Sequence, residues 1–115
     1  MPRHACAPGE QRLVHESIYF GTATPGGVVT PDQWAGFLRD TVTPRFPNGL
    51  TVMQASGQWR GADGTIVQES SHVLDLLHPD DAKSEKAVVE IVEAYKASFR
   101  QEAVLRVRAQ ACASF

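Results

Sequence analysis

Two stretches with helical period, residues 34–42 and 87–99, each follow a run of β character and precede another. The chain therefore reads strand, helix, strand, strand, helix, strand. That order is the split β-α-β plan of a ferredoxin-like α+β sandwich, an antiparallel sheet of four strands with two helices on one face. A chain of 115 residues has length for one such domain and one core. Residues 1–12, broken by Pro and Gly and without period, read as a flexible N-terminal arm, and residues 13–115 as the single domain. The plan fixes which side chains can meet but not what they do.

The first strand is expected over residues 13–21, with Val14, Ile18 and Phe20 on one face and His15, Ser17 and Tyr19 on the other. Glu16 interrupts the apolar face. Thr30, Pro31 and Gln33 form a helix-start signature: an N-cap hydroxyl, a proline at the first helical position and a capping-box partner. Trp34, Phe37, Leu38 and Val42 supply that helix's apolar stripe, and Pro44 stops it near Thr43. Residues 50–59 and 65–77 predict a long hairpin around Gly61, Ala62, Asp63 and Gly64, with a bulge at Ser70 and Ser71. His78, Pro79, Asp80 and Asp81 open the second helix, whose stripe is Val88, Ile91, Val92, Tyr95 and Phe99. The last strand, residues 103–111, alternates Leu105, Val107 and Ala109 with Val104, Arg106, Arg108 and Gln110.

The spatial order 4-1-3-2, with the first and third strands read as parallel, carries these patterns into three dimensions. Leu105 and Val107 are then expected under the helices, and Arg106 and Arg108 on the uncovered face with His15, Ser17, Tyr19, Glu69, Ser71, Val73 and Asp75. Aligning the central strands from their starts sets Tyr19 near Asp75, with Arg106 across the next ladder. Tyr19, Asp75, Arg106 and His15 form the candidate ligand-binding set, since a guanidinium, a carboxylate and a phenol together hold an anionic or carbonyl-bearing molecule. The same residues also suit a cross-strand ion pair with a tyrosine packed over it. No catalytic residue is assigned.

His4, His15, His72 and His78 lack close metal-ligand spacing. A bulge would turn His72 outward toward His15, Glu69 and Asp75, but that set carries no motif, and neither metal nor cofactor is expected. Gln58, Trp59 and Arg60, near the hairpin tip, offer an aromatic anchor for a partner or a cap over one end of the core. A net charge of −2 gives no case for nucleic acid. No apolar run approaches the ~20 residues that cross a bilayer. The opening MPRHACAPGEQ has no apolar h-region, so no signal peptide is read there. Cys6 precedes the first strand and Cys112 follows the last, which places both at one end of the sheet. They pair as a disulfide there, or remain two thiols in a reducing compartment.

Longer blocks carry a family resemblance. Tyr19-Phe20-Gly21, the helix start from Trp34 to Phe37, Val42-Thr43-Pro44-Arg45-Phe46-Pro47-Asn48-Gly49-Leu50-Thr51-Val52 and Ser56-Gly57-Gln58-Trp59-Arg60 are among them. So are Tyr95, Phe99-Arg100-Gln101-Glu102 and Val104-Leu105-Arg106-Val107. Together they resemble domain-of-unknown-function family 3574. The resemblance implies a small bacterial protein, often exported, hence periplasmic or secreted, with cytoplasmic as the alternative, and it brings no catalytic residues. Two functions fit this reading. One is a module that binds a small ligand or a protein on the open sheet face. The other is a cofactor-independent small enzyme, monooxygenase- or isomerase-like, built as a dimeric α/β barrel by packing two open faces into a homodimer.

Overall fold

The computed structural model describes residues 5–115. Strand β1 spans Gln11–Gly21; a small hairpin follows, β2 (Ala23–Thr24) and β3 (Gly27–Val28). Helix α1 (Pro31–Phe37) continues into a π-helical turn, Leu38–Val42. Then come β4 (Thr51–Arg60), β5 (Ile66–His78), α2 (Ala82–Phe99) and β6 (Leu105–Ala113).

The helix ends follow the sequence signals. Thr30 Oγ1 accepts from the Gln33 amide at 3.1 Å, and Gln33 Oε1 accepts from the Thr30 amide at 2.9 Å, closing the capping box. Asp81 caps α2 by accepting from the Ser84 amide at 2.8 Å. Pro44 lies just past the π turn, in which the Thr43 amide donates to Leu38 O. Gly64, at φ 88°, supplies the left-handed residue that turns β4 into β5.

The main sheet runs β4-β5-β1-β6, and every neighbouring pair is antiparallel. The expectation of parallel central strands is therefore corrected. A crossover through α1 sets β4 parallel to β1, and the tight hairpin then reverses β5. The predicted bulge is also absent, since β4 and β5 pair without a break from Thr51↔Asp75 to Arg60↔Ile66. Residue 72 consequently stays on the helix side, where the His72 ring stacks on Trp34 at 4.3 Å, and the histidine-containing metal set does not form. His4 lies outside the described residues.

Both helices pack on one sheet face. Ile18, Phe20, Leu74 and Leu76 meet Trp34, Phe37 and Val42 from the first helix and Val88, Ile91 and Tyr95 from the second. Phe20 is the centre, with ring centroids 4.6 Å from Tyr95 and 5.4 Å from Trp34. Each such large apolar side chain stabilises the fold by about 1.5–3 kcal/mol through burial. The Tyr95 hydroxyl donates to Gly21 O at 2.6 Å, and burial, with the Glu69 charge adding, pushes its phenol up to about 12. Strand β1 starts two residues earlier than expected, Gln11 pairing with Ala113 and Arg12 with Cys112. Cys6 and Cys112 are joined as a disulfide with Cα atoms 5.5 Å apart.

Candidate functional site

Strand β6 turns the opposite way from the sequence expectation. Arg106 pairs with Ile18 and Arg108 with Glu16, and directly opposed residues share a face, so both arginines lie on the helix side. Leu105 and Val107 instead stand on the open face, 59% and 49% exposed. The cause is Glu16. Its side chain points between Val14 and Ile18 into the helix layer and is wholly buried, and a buried carboxylate requires a charged partner.

Arg106 meets it in a fork, Nε to Oε2 at 2.7 Å and Nη2 to Oε1 at 2.5 Å. The same guanidinium bonds Glu85 on α2 at 2.6 and 2.8 Å. His78 Nε2 lies 3.0 Å from Glu16 Oε1 and its Nδ1 lies 2.7 Å from Pro79 O. Arg108 flanks the group, 3.9 Å from Glu16 and 3.7 Å from Asp80. Burial pushes the Glu16 carboxyl up, but the bonds from Arg106 and His78 outweigh it and hold the group below its ordinary range. The bonds to Glu16 and Glu85 raise the Arg106 guanidinium in turn. This cluster ties β1, β5, β6 and α2 together and leaves little of Arg106 for a ligand.

The open face is what the arginines vacate. Ser17 lies opposite Asp75 and donates to Asp75 Oδ1 at 2.7 Å, and His15 Nε2 stands 3.6 Å from the same oxygen. Asp75 is thus the centre of a polar island. Among the described residues no hydrogen bond joins Ser17 to His15; each meets Asp75 separately. Around it stand Tyr19, Val73, Met53, Leu77, Leu105 and Val107, all but Val73 substantially exposed. A groove of about 940 Å³ opens at this end of the sheet, and His15 and Asp75 border it with Phe46, Leu50, Ser84 and Phe115.

Of the sequence candidates, His15 and Asp75 come together. Tyr19 lies opposite Val73 and Leu105, one diagonal step from Asp75, because the central strands run antiparallel. Arg106 is on the other face. Trp59 opposes Val67 on the projecting hairpin and is 55% exposed, so it does not cap the core. Gln58 and Arg60 alternate to the opposite side of the same strand. Among the described residues, the one cluster of potential metal ligands is Cys6, Glu10 and Cys112, and its sulfurs are joined to each other. Glu16 went unassigned in the sequence reading. Its signal was present all the same: an acid inside an apolar alternation demands a cation on the same side of a neighbouring strand.

The family model described as "Protein of unknown function (DUF3574)" matches residues 15–115. A search of curated proteins gives no match. Among solved structures, a phage SAM lyase in complex with S-methyl-5'-thioadenosine is similar with a TM-score of 0.63 at 12% identity, over 100% of this chain and 97% of that one. A phage SAM lyase in the apo state is similar with a TM-score of 0.57 at 18% identity, over 96% and 86%. At these identities the likeness is one of fold.

Proposed function

The chain belongs to that family of unknown function, and from this premise we propose that it is a binding module whose open sheet face is covered in use by a second copy of the chain. The observation that carries the reading is the exposure of Leu105 and Val107 on the same face as Tyr19, Met53 and Leu77. Contiguous apolar surface of this kind on a soluble domain supports an interaction role. Two such faces pack about 10 Å apart, with the edge of each His15–Asp75–Ser17 island left at the groove, where a small polar ligand would reach it.

Size-exclusion chromatography with light scattering tests this. The wild-type chain elutes as a dimer, and Val107→Glu elutes as a monomer with an unchanged circular dichroism spectrum. A wild-type monomer at about 100 μM would overturn the reading, since specific homodimers of standard interface size are tighter than that.

The likeness to phage SAM lyase supports a second reading, an enzyme on the same scaffold. Incubation with SAM and a mass-spectrometric search for S-methyl-5'-thioadenosine decides it. The Cys6–Cys112 bridge suits an oxidising compartment, which favours a periplasmic or secreted setting. No helix among the described residues is long and apolar enough to cross a membrane.

A further inference from the structure

On the helix side of the sheet, away from the island, a pocket of about 250 Å³ sits where the β2–β3 hairpin meets β4 and β5. Its walls are Val28, Val29 and Pro31 on one side and Thr22, Gln54, Ser70, Ser71 and His72 on the other. Two of the hydroxyls are already satisfied. Thr22 Oγ1 donates to Ser70 O at 2.7 Å, and Ser70 Oγ therefore donates back to Thr22 Oγ1 at 3.0 Å.

His72 differs. It is 93% buried, as only 7% of it is exposed, and its ring is stacked flat on Trp34 with 4° between the planes. Among the described residues neither ring nitrogen has a hydrogen-bond partner, yet no side-chain nitrogen or oxygen that is itself fully buried lacks one. The ring nitrogens therefore retain solvent access, and His72 lines the pocket. Accessible ring nitrogens without a protein partner are free to bond a molecule that enters the pocket, and the stack on Trp34 fixes the ring that carries them.

We infer that this pocket binds a small uncharged molecule through an amide-like edge, one donor and one acceptor side by side, met by His72 and by the amide of Gln54, its partner on the neighbouring strand. Neutral imidazole presents one donor and one acceptor. Burial lowers the His72 pKa, which keeps the ring in that form near neutrality. Among the described residues no charged side chain lines the pocket, so an ion entering it would lose hydration without gaining a counter-charge. Glu69, next to Ser70 in the chain, accepts from the Ala23 amide at 2.8 Å beside Gly21, and its charge disfavours anions. The volume lies just below the range of about 300 Å³ at which pockets for drug-sized ligands begin, which fits a single ring.

Nicotinamide and nicotinate make the test, as they share a shape and differ in charge. Each is titrated into the oxidised full chain while NMR follows the His72 ring protons and the Trp34 indole N–H, with the Trp59 indole as an internal reference. Nicotinamide saturates with a Kd of about 1 mM, the affinity expected of so few atoms, moving the Trp34 and His72 signals and leaving Trp59 in place. Nicotinate binds at least tenfold more weakly. His72→Phe keeps the stack, removes both nitrogens and abolishes binding; Gln54→Leu, at an exposed position, weakens it several-fold should the first variant fail to fold. Absence of saturable shifts, equal binding of the two probes, or full binding by a folded His72→Phe or Gln54→Leu chain would overturn the inference. None of these outcomes depends on the oligomeric state.

Discussion

Replacing Arg106 by alanine tests the charge cluster most directly. The substitution removes both short bonds to Glu16, at 2.7 and 2.5 Å, from a carboxylate with no solvent access. Stripping one partner from a buried ion pair costs about 3–5 kcal/mol. His78 remains at 3.0 Å and Arg108 stands within 3.9 Å, which places the loss at the lower end, about 3 kcal/mol. Glu85 is partly exposed and returns to water with little penalty. For a domain of this size such a loss lowers Tm by about 10–15 °C. Urea unfolding of the oxidised chain, followed by circular dichroism, measures it. The same substitution in a Glu16→Gln background, with no buried charge to strand, costs about 1 kcal/mol or less. If Arg106→Ala alone loses under about 1 kcal/mol, or if its cost is undiminished beside Glu16→Gln, then Arg106 does not neutralise Glu16 and the account of the face reversal fails.

The acid limb of stability follows from the same cluster. Glu16 is held below its ordinary value of 4.5 by Arg106 and His78 against the upward push of burial, and Glu85 is held below 4.5 by its bond from Arg106. A carboxyl lowered on folding lends stability that is complete above its unfolded value and lost as pH falls through the folded one. Stability therefore declines from about pH 5 downward, and Glu16→Gln flattens that decline; identical slopes in a pH series of urea midpoints would sink the assignment. Reducing Cys6–Cys112, which span 106 positions, removes a loop constraint of about 4–5 kcal/mol, visible as a lower urea midpoint with phosphine than without; unchanged midpoints would show that the bridge does not limit the unfolded chain.

Local signals were legible where the chemistry is local. Thr30, Pro31 and Gln33 announced α1 because a capping box is complete within four residues, and the alternation in β1 separated Val14, Ile18 and Phe20 from His15, Ser17 and Tyr19. The terminal cysteines were placed together because that needs only that the first and last strands be antiparallel neighbours. Strand direction was misjudged by treating β1 and β5 as parallel, which put Tyr19 rather than Ser17 opposite Asp75. The β6 face was hidden for a different reason. Its pattern offers an apolar set and an arginine set, and the rule that buries the apolar one fails when a buried acid sits 90 residues earlier in the chain. His72 likewise read as outward only if Ser70 and Ser71 bulged. The uninterrupted ladder with β4 decided otherwise.

The bridge between Cys6 and Cys112 also has a mechanical meaning. Cys112 lies near the outer end of β6, where Gln11 meets Ala113, and Cys6 lies in the segment that leads into β1. A tension applied to whatever precedes Cys6 and follows Cys112 passes through one covalent bond and bypasses the ladder between those strands. The folded body between the cysteines carries almost none of the load. While oxidised, the domain behaves as a bead on a string that can be pulled without being unzipped, and reduction alone turns it into a spring that force can extend.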